Sequence, residues 1–198
     1  MRTPAITLLA LFASLSAAAC GADNGVLPRL ITVTPSLNGF VSILDDCEPA
    51  SFNFALGAGT CTRQGNTTFS QFIAILEANL TVAAWQFDPA GLTVTVGGSI
   101  TATNYGGEVH TFTRVNQFGG GINPALNTAS GNLNEAPECR NITNADRIAP
   151  GGTFTTDPVT IAGTHLYQCC IHPWMRETVT ATIPDTANLR RRAAQPPG

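Results

Sequence analysis

The sequence predicts an all-β protein, a sandwich or barrel with a short helical N-terminal extension. Three observations carry that expectation. Short segments after residue 81 alternate apolar residues with Thr or Ser; Gly, Pro and Asn punctuate them; and one stretch before residue 81 carries a convincing helical period. With 198 residues, 43% of them hydrophobic, the chain can bury a sizeable core and suits one domain with additions.

Residues 1–22 read as an export signal: Arg2 at the front, an apolar run from Ala5 to Leu15, then small residues in "SLSAAAC". The run is shorter than the about 20 apolar residues that a membrane span needs. The segment ends either in cleavage after "AAA" or "CGA", or in lipidation of Cys20, where "AAAC" loosely resembles a bacterial lipoprotein signal. Export implies a periplasmic or extracellular protein, soluble or tethered, in a compartment where disulfides persist.

Residues 23–80 form the extension. Within it, "TTFSQFIAILEANL" places Phe69, Phe72, Ile73, Leu76 and Leu80 at helical spacing, with Thr68 and Gln71 as a capping box, so a helix is expected near 68–79. Residues 81–185 form the sandwich. Val82, Ala84 and Gln86 alternate with Ala83, Trp85 and Phe87, and "LTVTVGGSITATN" continues across a turn at Gly97 and Gly98. "TFTRV", "GTFTTDPVTI", "THLYQC" and "ETVTATI" supply further strands. The Gly/Asn-rich stretch from Gln117 to Ile148 is long for a structureless loop, and Cys139 within it looks like a pin. Residues 186–198 lack apolar periodicity and read as a disordered basic tail.

From Cys20 to Leu189 the chain carries six Arg against thirteen acidic residues and no Lys, a net of −7. Phosphate contacts need clustered cations, so this body is a poor nucleic-acid binder.

Soft ligands gather in "YQCCIHPWMRE", although the whole chain has 3 His and 2 Met. On a strand, Tyr167 and Cys169 face one way while Gln168 and Cys170 face the other. A tight loop after that strand would return His172 and Met175 towards the sulfur of Cys169. His110, in "NYGGEVHTF", ends a loop and begins a strand, where a ligand can be aimed inward. Two His and one Cys in a plane with a distant Met make the ligand set of a blue-copper electron-transfer site. His165, in "AGTHLY", is expected to be a packed strand residue that binds nothing.

"YQCCIHPWM" resembles the Y-x-C-x-x-H-P-x-M segment of cupredoxins, the family of plastocyanin, pseudoazurin and amicyanin. "NYGGEVHTF" is similar to the segment that carries the family's upstream ligand, and "IAPGGTFTTDPVTIAGTHLYQC" to the two strands leading into the Cys. The resemblance covers about residues 82–184. It implies an eight-stranded Greek-key sandwich with one copper ion at one end, held by His110, Cys169, His172 and Met175. It implies that Asn104 fastens the upstream loop. Thr111 stands where many members have an Asn whose backbone N–H bonds the ligand sulfur. It further implies a one-electron carrier rather than an enzyme, since multicopper oxidases and nitrite reductases need more histidines than this chain has. In the family the downstream His reaches the surface through an apolar patch, which implies redox protein partners docking near His172, Pro173 and Trp174. Trp174 equally suits a lid packed on the site. Two other readings use the same residues differently: a copper-handling or copper-sensing protein, and a metal-free adhesion module.

With Cys169 given to copper, Cys47, Cys61, Cys139 and Cys170 remain besides Cys20. Four cysteines allow three pairings, and sequence alone does not choose among them. Cys47 with Cys61, closing a short loop, and Cys139 with Cys170, stapling the long loop beside the copper strand, are favoured.

Overall fold

Eight strands make two four-stranded sheets in a computed structural model that describes residues 37–184. The expected export signal, the lipidation candidate Cys20 and the basic tail lie outside the described residues. One sheet orders β2 (Gln86–Asp88), β1 (Gly39–Leu44), β4 (Ile100–Asn104) and β6 (Thr153–Thr155). The other orders β3 (Gly91–Thr95), β8 (Arg176–Thr182), β7 (Gly163–Gln168) and β5 (Thr113–Val115). β1 runs parallel to β4 and β3 parallel to β8; the remaining pairs are antiparallel. The eight strands and two sheets match the expected sandwich.

The pleat decides which residues fill the space between the sheets. Along β8, Glu177, Val179 and Ala181 are buried while Thr178 and Thr180 are exposed. Val41 and Ile43 of β1, Val94 of β3 and Ile100 and Ala102 of β4 join them in one core.

The sandwich starts earlier than residue 81. β1 lies in the stretch assigned to the extension and sits between β2 and β4, because "GFVSIL" sends Val41 and Ile43 inward and leaves Phe40 exposed. The strand expected from Val82 shrinks to Gln86–Asp88. Ahead of it the Trp85 N–H bonds the Val82 carbonyl at 2.9 Å, a turn that the alternation of residue types does not reveal. The turn at Gly97, with φ +94°, passes the chain from β3 in one sheet to β4 in the other.

Helix α1 (Pro49–Leu56) and helix α2 (Phe69–Asn79) lie between β1 and β2. The Thr68–Gln71 capping box of α2 forms as expected. The Phe52 ring of α1 meets Phe69 and Phe72 of α2 edge-on at 5.4 and 5.6 Å and stacks on Trp85 at 5.8 Å. Both favoured disulfides are present, Cys47–Cys61 and Cys139–Cys170. The second joins the long stretch, which carries helix α3 (Pro124–Ala129) and two 3₁₀ turns, to the residue after Cys169. Val115, Ala136, Cys139 and Cys170 form a small second core there.

Glu177 lies fully buried on the inward face of β8. Burial, and then the charge of Asp88, raise its pKa from 4.5 to about 8. Between these values the unfolded chain releases a proton that the folded chain keeps, so this group lowers stability as pH rises through that window. Glu177→Gln is expected to match the wild type near pH 4 and to exceed it at pH 8, by up to roughly 4 kcal/mol. Urea unfolding at the two pH values measures the gap, which must widen with pH for this account to stand.

Candidate metal centre

Strand β7 delivers Cys169 to one side and Cys170 to the other, as the alternation requires: Cys169 joins the main core and Cys170 the second one. The chain then turns at once. The Cys169 N–H donates to the Met175 carbonyl at 3.0 Å and the Met175 N–H to the His172 carbonyl at 3.0 Å, closing a seven-residue loop. Its interior is occupied by sulfur. The backbone N–H groups of Thr111 and His172 both point at Cys169 Sγ, each at 3.4 Å. The Thr111 hydroxyl accepts the Cys170 N–H at 2.8 Å, so one residue ties both cysteines to the segment that leads into β5.

His110 arrives from the segment after β4. Asn104 fastens that segment, donating to the carbonyls of Glu108 at 2.7 Å and Ile148 at 2.8 Å while accepting the Gly106 N–H at 2.9 Å. A Cβ on Gly106 would overlap the Asp45 carboxylate, and one on Gly107 would lie 2.6 Å from Cys47 Sγ. Only glycine lets the loop sit this close to the end of β1. Asp45 uses the closeness: its carboxylate accepts from the N–H groups of Cys47 at 3.2 Å, Gly107 at 2.9 Å and Glu108 at 3.0 Å, and from His110 Nε2 at 2.9 Å.

With Nε2 turned to Asp45, the Nδ1 of His110 faces the centre. It lies 3.8 Å from Cys169 Sγ and 3.3 Å from His172 Nδ1, and His172 Nδ1 lies 3.9 Å from the same sulfur. All three side chains are buried. An ion bound about 2.0 Å from each nitrogen and about 2.3 Å from sulfur in a trigonal plane would hold these donors about 3.5 and about 3.7 Å apart. The triangle therefore has the size, and the thiolate and imidazoles the chemistry, of a single soft-metal site. Met175 is 1% exposed in the same core as Cys169.

Charge within the triangle is strongly coupled. Burial would depress the His110 imidazole, but the Asp45 carboxylate and the Cys169 sulfur outweigh it and raise its pKa to about 9. Burial would likewise push the Cys169 thiol up, yet hydrogen bonds and attraction from His110 and His172 hold it well below the ordinary thiol value. Both shifts favour the same charged pair, an imidazolium at His110 beside a thiolate at Cys169.

The structure brings together three of the four residues expected from the sequence, at their ring and sulfur atoms, and closes the loop on the fourth. His165 stays outside: its Nε2 donates to the Ile161 carbonyl at 2.7 Å and its Nδ1 accepts from Arg114 at 2.7 Å, which occupies both ring nitrogens. Of the groups around His172, Phe72 and Glu108 carry no sequence signal. His172 is 3% exposed and Pro173 buried, while half-buried Trp174 meets the His172 ring at 5.5 Å and Phe72 of α2 lies 6.4 Å away. Glu108 Oε2 stands 3.6 Å from His172 Nε2 and accepts the Trp85 indole N–H at 2.7 Å. Asp45, Cys47 and Glu108 also cluster, but the disulfide at Cys47 removes the thiolate that a second metal would use.

Among solved structures, the chain is similar to a purple cupredoxin from Nitrosopumilus maritimus, at 16% identity over 73% of this chain and 99% of that one, TM-score 0.41. It is also similar to a mutant plastocyanin of fern (16% identity, 73% and 100% of the chains, TM-score 0.38). A third is a mutant of amicyanin with Cu(I) (20% identity, 52% and 78%, TM-score 0.34). No protein-family model and no curated protein matches the chain.

A cation entering the triangle must displace the proton on His110 Nδ1, so its affinity should climb as pH rises and level off above about 9. Zinc or cobalt titrations of the metal-free protein between pH 6 and pH 10 check this, and a flat profile would contradict the imidazolium–thiolate pair. Gly106→Ala should displace Asp45 and lower the melting temperature by several degrees.

Proposed function

We propose that this chain is a type 1 blue-copper protein that carries single electrons outside the cytoplasm. The observation that carries the reading is the triangle of His110 Nδ1, His172 Nδ1 and Cys169 Sγ, with sides of 3.3, 3.8 and 3.9 Å. His110, Cys169 and His172 would hold copper, and Met175, buried at the close of the same loop, would add a weaker thioether donor. Copper bound there supplies one-electron chemistry between Cu(II) and Cu(I).

The protein's part is to keep the cage unchanged. Thr111 and His172 N–H groups draw charge off the sulfur, and Asp45 pins the His110 ring. The buried surround excludes water, so little has to rearrange when charge arrives or leaves. Among the described residues no second set of histidines accompanies the triangle, which favours transfer over the reactions of multicopper enzymes. Redox partners would dock at the His172–Trp174 segment, where Trp174 is the part-exposed residue over the buried ring. Such docking surfaces are small and weakly held. Export is supported by the N-terminal sequence pattern and by two disulfides; among the described residues no helix is long and apolar enough to cross a membrane.

Adding Cu(II) to the metal-free protein tests the reading. An intense blue absorption with narrow copper hyperfine splitting is expected; a pale tetragonal spectrum would point to copper handling, and no uptake to a metal-free module. Cys169→Ser should abolish the blue band. The double variant Cys139→Ser/Cys170→Ser should keep it while losing about 3–4 kcal/mol of stability with the 31-residue staple, measured by denaturant unfolding.

A further inference from the structure

Both candidate ligand imidazoles have a carboxylate at their outer edge: Asp45 follows β1, far from either ligand segment in sequence, and Glu108 stands two residues before His110. Four donors converge on Asp45: three backbone N–H groups and His110 Nε2, two on each oxygen. A group that only accepts, at four points, is met by a carboxylate and by no neutral amide, whose NH2 would face a donor. Its side chain is 1% exposed, so water does not screen the contact to His110.

Glu108 repeats the arrangement on the other ring. Trp85, itself 1% exposed, fixes Glu108 Oε2 through its indole N–H at 2.7 Å, and the same oxygen stands 3.6 Å from His172 Nε2, an electrostatic contact rather than a hydrogen bond. The two carboxylates are linked, because the Glu108 N–H is one of the four donors to Asp45. The edge of His172 that faces away from the triangle therefore meets a buried negative charge, with Phe72 and Trp174 over the ring.

We propose that Asp45 and Glu108 are positioning residues of the metal centre, each holding the outer edge of one imidazole so that Nδ1 is aimed inward and the electron-rich ring favours Cu(II) over Cu(I). This rests on the copper-carrier reading. A carboxylate behind a ligand imidazole makes it a stronger donor and fixes its orientation, and losing such a partner typically weakens metal binding about 10- to 100-fold. The N-terminal stretch thereby completes the site: Asp45 follows β1, and Trp85 follows α2.

Glu108→Gln is the deciding variant, since an amide oxygen can still accept from Trp85 while the charge is gone. Its reduction potential should rise above wild type and copper should leave about 10- to 100-fold faster, with Glu108→Asp returning both towards wild type. Asp45→Asn should do the same more strongly. Where Asp45→Asn does not fold, Glu108→Gln and the proton spectrum of the wild type decide. In that spectrum of the metal-free protein the His110 Nε2–H should give a protected, far-downfield resonance, absent from any folded Asp45 variant. Unchanged potential and copper release in a folded Glu108→Gln, or no protected His110 resonance, would overturn the proposal. A wild-type protein that takes up no copper would instead remove the carrier reading, leaving the imidazole resonances to judge the carboxylate contacts by themselves.

Discussion

Two imidazoles and a thiolate held within 4 Å of one another inside a core are the constraint to which the surrounding structure answers. Removing such groups from water is costly unless each polar atom finds a partner. Here the sulfur has two backbone N–H groups, the His110 ring has Asp45 behind it, and the raised His110 and lowered Cys169 pKa values favour opposite charges across the triangle. A cage already at metal-binding spacing has little to reorganise when an ion binds or changes charge.

That spacing is maintained by ties from distant parts of the chain. The Cys169 loop is closed on itself by hydrogen bonds between Cys169, His172 and Met175. The His110 loop is tied internally by Asn104 and held from outside by Asp45 and the bridge to Ile148. Gly106 and Gly107 are what let Asp45 and the Cys47–Cys61 disulfide approach. The second disulfide works from the far side, anchoring Cys170 while Cys169 is free to ligate. The adjacent cysteines thus have opposite chemistry because the pleat sends them into different cores.

The residues facing the centre were legible because their offsets are local: Cys169, His172 and Met175 lie on one tight loop, and His110 sits at a loop-to-strand junction with a recognisable neighbourhood. Loop length and strand direction favour the disulfide pairing but leave other pairings open; the fold decides by bringing Cys139 to Cys170. Asp45, Glu108 and Trp85 were not legible. The Asp45–His110 contact spans 65 residues and Trp85–Glu108 spans 23, and an acidic residue in "LDDCEP" or "GGEV" carries no periodicity to mark it. β1 was hidden differently: "GFVSIL" does alternate, but two helices intervene before the next strand, and pairing with β4 is parallel and remote. The apparent strand at Val82–Phe87 failed for the converse reason, since alternating residue types also suit a turn whose Trp is needed in the core.

The helices explain why the carboxylates can matter. Phe52, Phe69, Phe72 and Trp85 form one aromatic cluster, and it abuts His172 and Trp174. A bare sandwich end would leave the outer edge of His172 in water, where a nearby charge is worth about 1 kcal/mol at 4 Å; under an aromatic cover the same charge acts through a medium of lower dielectric and is worth several times more. The insertion between β1 and β2 thus supplies one of the two carboxylates, Asp45, the Trp85 indole that fixes the other, and the dryness that gives both effect. Removing the cover would weaken Glu108 without touching it, and for that reason the helices belong to the metal centre's chemistry as much as to the fold.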